Sequence, residues 1–401
     1  MTEKINSIRD KICSFLQEGK GHVSNIKGLK FNPGCIPTIH VWGNRAERAS
    51  SVGKFGRPII SSMYHLLFKK AVTEILTWQE PQKLSSRILL MASRHFYQIA
   101  SRLLIWPRLP EDLRQEISIY AKNAVASRQF AMFALLLGEF DMFLTYRGCS
   151  TMAATAPLTR DGQLVMGRNL DFDSFGLADV LHILQVNHPS EPDEIPSAWL
   201  SWLGFWGTFT GWNRAGLALG CMVVNNAKND DIPNLKALSC FTPMAWAYTK
   251  ILRKCRTVEE GIGLLRTMTP LGPNNIMLAD STGNSVVVEW STNRMQVRQI
   301  ENGFLVATNG FRSREMFEVE DTCDRYENAE AFLTAQHNDG IDGMAMRKAL
   351  DLVNQGELTL HSAIFEPNRR KVHIAINPPP STRGIWHELP WDVWENHDLI
   401  P

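Results

Sequence analysis

The sequence predicts an α+β fold, mainly helical up to about residue 148 and rich in antiparallel strands beyond it. Three observations carry this. Apolar residues recur at three-to-four spacing over 61–78, 85–106 and 111–143, the period of an amphipathic helix. At Cys149 the pattern changes to short strand-like runs, 150–158 and 164–171, joined by Thr159-Arg160-Asp161-Gly162, and Asp-Gly is a strong hairpin signal. Helical stretches at 243–255, 258–268, 314–335 and 343–354 then alternate with further strand runs, which suggests sheets with helices layered outside them.

Taken in order, residues 19–58 hold several Gly and Pro and read as the one long irregular piece. The helical stretches follow, and Cys149 stands at the first residue of a strand. Strand runs at 216–224, 276–279, 285–290, 296–299 and 304–307 mostly end in Asn, Gly or Asp. Thr257 opens the helix at 258, with Glu260 three residues on, as in a capping box. A closing hairpin is expected from 361–365 and 372–377. No internal repeat or low-complexity segment interrupts the chain.

The bulk numbers narrow the function. With 401 residues, 44% of them hydrophobic and 21% charged, the chain has ordinary globular composition and can bury a sizeable core. Lys+Arg 42 against Asp+Glu 41 leaves a formal net charge of +1, so no strong field steers it to nucleic acid or an anionic membrane, and a small or neutral substrate fits better. The first twenty residues lack the basic start, apolar stretch and small-residue cleavage site of a secretory signal. The longest apolar run, 130–140, is interrupted by Gly138 and Glu139 and falls short of the ~20 residues a membrane-spanning helix needs. It reads as a buried helix, and the chain as cytoplasmic. Seven cysteines, an odd number nowhere arranged as CxxC, suggest neither a disulfide framework nor a zinc site. The absence of any Asn-x-Ser/Thr sequon points the same way.

Metal- and nucleotide-dependent chemistry has no motif behind it. There is no HExxH, GxxxxGK[ST] or GxSxG, and Gly261 and Gly263 lack the third glycine of GxGxxG. No cofactor is expected. What remains is Gly148-Cys149-Ser150-Thr151 at the helix-to-strand boundary, followed across the hairpin by Gly167-Arg168-Asn169-Leu170-Asp171-Phe172. A lone Cys at a strand start is more often a small buried hydrophobe than a nucleophile. The hairpin, however, returns Arg168 and Asp171 beside it. A guanidinium near a thiol favours the thiolate, and a carboxylate can hold and orient an amine. A nucleophile paired with its own terminal amine requires both roles.

The run Gly-Cys-[ST] followed by Gly-Arg-Asn-x-Asp-[FW] resembles the autoproteolytic acyltransferase and hydrolase family that includes penicillin acyltransferase, within the cysteine N-terminal-nucleophile hydrolase superfamily. More distantly it is similar to acid ceramidase and to the bile-salt and penicillin V (choloylglycine) hydrolases. The likeness continues through 211–218, Asn225-Asn226, 275–280, Thr308-Asn309, Asp324-Arg325-Tyr326 and 362–367, and covers essentially all of 149–401. It implies a four-layer αββα sandwich, with residues 1–148 as a mainly helical α-chain retained after self-cleavage and 149–401 as the catalytic β-chain. By the same resemblance Gly148 and Cys149 flank the cleavage site, Cys149 is the nucleophile, and Arg168 and Asp171 are its first partners. Asn225 and Asn275 become oxyanion-stabilising groups, with Asn226 and Asn274 as the adjacent alternatives. Arg325 becomes a further active-site arginine, against the alternative of a solvated helix residue paired with nearby Glu.

The expected activity is an autocatalytically activated amidase or acyltransferase acting on C–N bonds of small acyl amides through a thioester. In it the freed α-amine of Cys149 takes the thiol proton, and water or an amine accepts the acyl group. Gly148 suits the scissile position because it lacks a Cβ. An ester, phospholipid or ceramide-like lipid acyl hydrolase, or a non-catalytic binding module on the same fold, are the alternatives. The partners expected are the acyl amide or lipid-like substrate and the two chains of one precursor. No nucleic acid, metal or transmembrane segment is expected, and a homo-oligomer is compatible with the reading. The segment 199–212 packs Trp199, Trp202, Phe205, Trp206, Phe209 and Trp212 among three glycines without a clean period. It reads as core packing or as a loop over the site, with Trp206, Phe209 and Trp212 facing the acyl group.

Overall fold

The computed structural model describes residues 2–18, 26–76, 97–136, 148–174, 176–229, 241–336 and 340–395. The helix expected from residue 85 lies largely outside these residues, as do the last residues of those expected to reach 78 and 143, and Cys240. Before Cys149 the chain forms α1 (Thr2–Glu18), β1 (Leu29–Asn32), β2 (Thr38–Gly43), α2 (Arg45–Leu76), α3 (Glu111–Ala124) and α4 (Arg128–Leu135). The irregular stretch expected over 19–58 is therefore corrected: it carries two strands and the first turns of α2. Pro33, Gly34 and Pro37 sit in the connection between the strands rather than in them. Residues 38–41 of β2 are buried without alternation, so the strand shows no period of two.

Beyond Cys149 come β3 (Ser150–Ala154), β4 (Val165–Asp171), β5 (His182–Pro189), β6 (Ser197–Trp202), β7 (Thr210–Asn213) and β8 (Ala218–Val223). The helices α5 (Met244–Lys254) and α6 (Val258–Leu265) precede β9 (Asn274–Ala279), β10 (Ser285–Trp290), β11 (Met295–Gln299) and β12 (Phe304–Ala307). Last come α7 (Asp324–Ala335), α8 (Gly343–Leu352), β13 (Thr359–Glu366), β14 (Lys371–Ile376) and β15 (Trp386–Pro390). The Thr257 hydroxyl caps α6 by accepting from the Glu260 N–H at 3.2 Å.

Two expected elements are shorter than the sequence suggests. The first run stops at Ala154, and residues 155–162 turn instead. The helix expected from Arg314 starts only at Asp324. In 314–323 the backbone bonds elsewhere: Lys228 N–H donates to Met316 O and Glu318 N–H to Asn226 O, while Ala227 and Phe317 form an antiparallel bridge. Extended pairing with 226–228 satisfies groups that a helix would have bonded internally.

The strands form two sheets, one ordered β1-β2-β5-β6-β7-β8-β9-β10-β11 and the other β12-β3-β4-β13-β14-β15. Between them lies an apolar layer containing Ala153, Met166, Leu200, Trp212, Met277, Ala363 and Phe365. On the outer face of the larger sheet, Tyr248 and Ile251 of α5 and Val258 and Leu265 of α6 cover Leu219, Ile276, Leu278 and Val286. On the smaller sheet, Ala329 and Leu333 of α7 and Met346 and Leu350 of α8 cover Met152, Val165, Val306 and Ile364. The order is helix, sheet, sheet, helix, a four-layer αββα sandwich. Helices α1 to α4 add a further core that meets it at Leu181, Leu203, Trp206 and Trp246.

Residues before and after Cys149 are interlocked. Strand β2 runs parallel to β5, from Thr38↔Leu184 to Gly43↔Pro189, so the larger sheet contains two strands from upstream. Arg48 of α2 is fully buried and pairs with Glu194 and, at 3.1 Å, with Glu191. Glu116 of α3 pairs with Arg253 of α5 at 3.1 Å. Removing one member of such a pair costs about 3–5 kcal/mol, because the other charge is left buried and unpaired.

Candidate active site

The antiparallel register of β3 and β4 sets Ser150 opposite Asn169 and Thr151 opposite Arg168, so one step earlier Cys149 lies opposite Leu170. Met166, Arg168 and Leu170 share one face by the alternation of a strand, the face that meets the larger sheet. Arg168 is fully buried there. Its Nη2 donates to Cys149 Sγ at 3.3 Å, Nη1 to the Asn169 carbonyl at 2.5 Å and Nε to Thr210 Oγ1 at 3.4 Å. Gly220 on β8 makes room for it, since a Cβ at that position would come within 2.7 Å of Arg168 Cδ.

Asp171 ends β4 with its carboxylate buried. It accepts from Thr359 Oγ1 at 2.6 Å and from Gln355 Nε2 at 3.0 Å, and Arg325 Nη1 stands 3.9 Å away. Burial raises its pKa; Gln355, Thr359, Arg325 and Arg168 oppose that shift. Gln355 Nε2 also donates to the Gly148 carbonyl. Arg325, near the start of α7, donates to the Cys149 carbonyl at 2.9 Å and to Asn309 Oδ1 at 3.0 Å. A Cβ on Gly148 would overlap Asn309 Oδ1 and Arg325 Nη2, so the residue before Cys149 has no room for a side chain.

The structure thus brings Gly148, Cys149, Arg168, Asp171 and Arg325 together, and adds Gln355, Thr359 and Asn309. Neither Gln355 nor Thr359 carries a local signal: each gains its place from the β13–β4 pairing. Asn309 follows a strand in a family-like segment, the one hint available in the sequence.

Neither Asn225 nor Asn275 lines the cavity described below. On β9, Asn275 shares the face of Met277 and Ala279, whereas Asn274 shares that of Ile276 and Leu278 under α5, where it accepts from the Tyr248 hydroxyl at 2.5 Å. Asn275 Nδ2 donates to the Thr308 and Gly310 carbonyls at 3.0 and 2.9 Å. Both of its hydrogens are engaged, which leaves none for an oxyanion in this arrangement. The side chain instead fastens the segment that carries Asn309. Asn225 is exposed, and its backbone N–H donates to the Asn309 carbonyl at 2.9 Å. Asn226 bonds to Phe311 and Val319.

An apolar cavity opens on Cys149. Leu170, Leu181, Trp202, Phe205, Phe209, Met222 and Met244 form its walls, with Met63 and Ala134 from the upstream helices, and Arg168, Asp171 and Asn309 lie near the thiol. Of the aromatics expected at the acyl group, Phe209 lines this cavity and Trp206 and Trp212 do not. The segment 199–212 is the end of β6, a short connection and the start of β7. Trp212 points into the layer between the sheets and donates from Nε1 to the Trp391 carbonyl at 2.8 Å. Trp206 turns outward to α3, donating to Glu116 Oε2 at 3.1 Å. Strands buried on both faces hide the alternation that would have separated these roles.

Behind Arg168 runs a chain of buried groups. Thr210 Oγ1 is 2.9 Å from His361 Nε2, and His361 Nδ1 is 3.1 Å from His182 Nε2. Burial lowers the His182 pKa from 6.5 to about 4, and drives His361 well below its ordinary value. Because the folded pKa lies below the unfolded one, the unfolded chain takes up protons first, and stability falls as pH drops from 6.5 to about 4. His182 alone should contribute on the order of 3 kcal/mol of acid sensitivity, at about 1.4 kcal/mol per pH unit. Urea unfolding across that range should show the fall, and His182→Gln, which does not ionise, should flatten part of it. An unchanged acid slope in the variant would remove His182 from this account.

Residues 158–380, more than half of the chain, match the family described as acyl-coenzyme A:6-aminopenicillanic acid acyl-transferase. The matched stretch begins beyond Cys149 and contains Arg168, Asp171 and Arg325. No curated protein matches the chain. Among solved structures it is similar to the Caenorhabditis elegans N-acylethanolamine-hydrolyzing acid amidase ortholog, at 21% identity and a TM-score of 0.44, over 60% of this chain and 100% of that one. It is also similar to penicillin V acylase from Agrobacterium tumefaciens, at 14% identity and a TM-score of 0.43, over 60% and 86%. A variant of conjugated bile acid hydrolase from Clostridium perfringens gives 13% identity and a TM-score of 0.40, over 62% and 94%. With its four-layer sandwich and the family match over 158–380, the chain belongs to the acyl-coenzyme A:6-aminopenicillanic acid acyl-transferase family, within the N-terminal-nucleophile hydrolase superfamily.

Proposed function

We propose that this protein cleaves itself between Gly148 and Cys149 and then hydrolyses or transfers the acyl group of amides through a thioester on Cys149. The observation that carries the reading is the placement of Cys149 Sγ, 3.3 Å from Arg168 Nη2 at the mouth of an apolar cavity. In the cleaved enzyme the new α-amine of Cys149 accepts the thiol proton, with Asp171 and Arg325 beside it to orient the terminus. The thiolate adds to the substrate carbonyl, the amine leaves, and water or a second amine takes the acyl group. The family resemblance assigns Asn225, two residues beyond β8, to the oxyanion, and Asn275 positions Thr308–Gly310. Residues 1–148 stay bound as an α-chain, because β1, β2 and two buried ion pairs tie them to the rest.

The apolar walls favour a medium or long acyl chain, or an aromatic one, over acetyl. Each buried methylene should raise kcat/KM about fourfold, from roughly 0.8 kcal/mol of transfer free energy, until the cavity is full. A chain-length series of acyl amides tests this. Phe209→Ala should extend the preferred length, whereas Trp206→Ala should lower stability and leave the profile as it is. A flat dependence on chain length in the wild type would sink the assignment of this cavity to the acyl group.

A further inference from the structure

The Gly148 carbonyl of the scissile peptide accepts a hydrogen bond from a side chain, Gln355, that the proposed reaction does not use. Gln355 lies in the link between α8 and β13, with its backbone anchored by N–H donation to Thr359 Oγ1 at 2.8 Å. Its side-chain nitrogen has two hydrogens and two acceptors, the Gly148 carbonyl and, at 3.0 Å, Asp171 Oδ2. Thr359 closes the ring by donating to Asp171 Oδ1 at 2.6 Å. The two hydrogens of the amide nitrogen are therefore directed by Asp171 and by the Gly148 carbonyl oxygen.

That oxygen is the one on which charge develops during self-cleavage. The Arg325 contact falls on the Cys149 carbonyl, one peptide further on, so it does not serve the scissile group. We propose that Gln355 is a catalytic residue of self-cleavage, the donor that stabilises the oxyanion formed at Gly148 O when Cys149 Sγ adds to the Gly148 carbon. In this step the S–C bond forms and the C–N bond between Gly148 and Cys149 breaks, while the thiol proton ends on the departing nitrogen. Water then hydrolyses the thioester, leaving a carboxylate on Gly148 and the thiol and amine on Cys149. Gln355 thus acts on the protein's own peptide, in a step separate from substrate turnover.

This inference rests on the self-cleavage reading, and the experiment separates the two. Full-length chain is made in a short pulse of cell-free synthesis, and the conversion of one band to two is timed on denaturing gels. Gln355→Met keeps the length of the side chain and removes the donor; it should slow cleavage by about 10²–10³-fold, the usual effect of losing an oxyanion donor. Gln355→Glu loses the donor while ionised and regains an O–H donor when protonated. Its cleavage should be slow at about pH 8 and should recover toward about pH 5 relative to wild type. The groups facing this position are Asp171 from β4, Arg325 from α7 and Cys149, the residue before β3. The wild-type profile over the same range therefore corrects for their titration.

A purely structural role for Gln355 would give no such recovery, and if Gln355→Met fails to fold, the pH profile of Gln355→Glu decides alone. Cleavage of both variants within about threefold of wild type, or a flat relative profile for Gln355→Glu, overturns the inference. Failure of the underlying reading looks different: the wild type stays whole, or Cys149→Ala is cut at the same bond.

Discussion

Cys149→Ala is expected to persist as one chain of 401 residues, while the wild type separates on denaturing gels into a fragment ending at Gly148 and one beginning at Cys149. The substitution removes the thiol that adjoins the scissile bond in sequence and leaves Arg168, Asp171, Gln355 and Arg325 in place. Turnover of any acyl amide should fall on the order of 10⁶-fold, as when the nucleophile of a hydrolase is deleted. Two further readings follow from the geometry. Under native conditions the two wild-type fragments should elute together, since β2 pairs with β5 and Arg48 and Glu116 hold buried partners across the break. Gly148→Ala should also stay largely whole, because its Cβ would displace Asn309 and Arg325. Intact mass checks the cleavage outcomes and native gel filtration the association, and cleavage of Cys149→Ala at the same bond would rule out an intramolecular thiol mechanism.

Asp171→Asn and Arg168→Ala should each lower kcat/KM by about 10²–10³-fold, with the fold retained, measured on the fraction of chains that has been cleaved. The two losses have different signatures. Asp171 is needed as a carboxylate beside the new amine, and burial lifts its pKa above the usual range. Protonation therefore removes the active form at a higher pH than for an exposed Asp, and wild-type activity should fall as pH drops through that raised pKa. In Asp171→Asn the same acid limb should be missing, at a uniformly low rate. Arg168→Ala loses the donor on Sγ and should not be rescued by Lys. A single ammonium cannot reproduce a planar guanidinium that meets Cys149, Asn169 and Thr210 at once. Near-normal turnover in either variant would take that residue out of the mechanism.

The sequence by itself determined what neighbouring residues settle among themselves. The return of the chain from β3 to β4 and the Thr257–Glu260 cap are local, and both appear in the structure, although β3 ends at Ala154, earlier than the residues predict. Because that hairpin is local, Arg168 and Asp171 were legible as partners of Cys149. Three kinds of feature were not.

Strands β5, β6 and β7 are buried on both faces, so burial erased their alternation, and the tryptophans of 199–212 could not be sorted between cavity and core. In 29–43, Gly and Pro in the connection masked two strands that gain their stability from β5, far along the chain. The rest of the site arrives by long-range pairing: Gln355 lies 207 residues from Gly148, and Arg325, named only through the family resemblance, lies 176 from Cys149. No period or turn residue records such a contact. Asn275 shows the limit most plainly, since strand alternation sets which face it occupies, but only the tertiary structure commits its amide to the Thr308 and Gly310 carbonyls. A hydrogen-bond donor serves whichever acceptor packing brings within reach, and packing is a property of the whole chain.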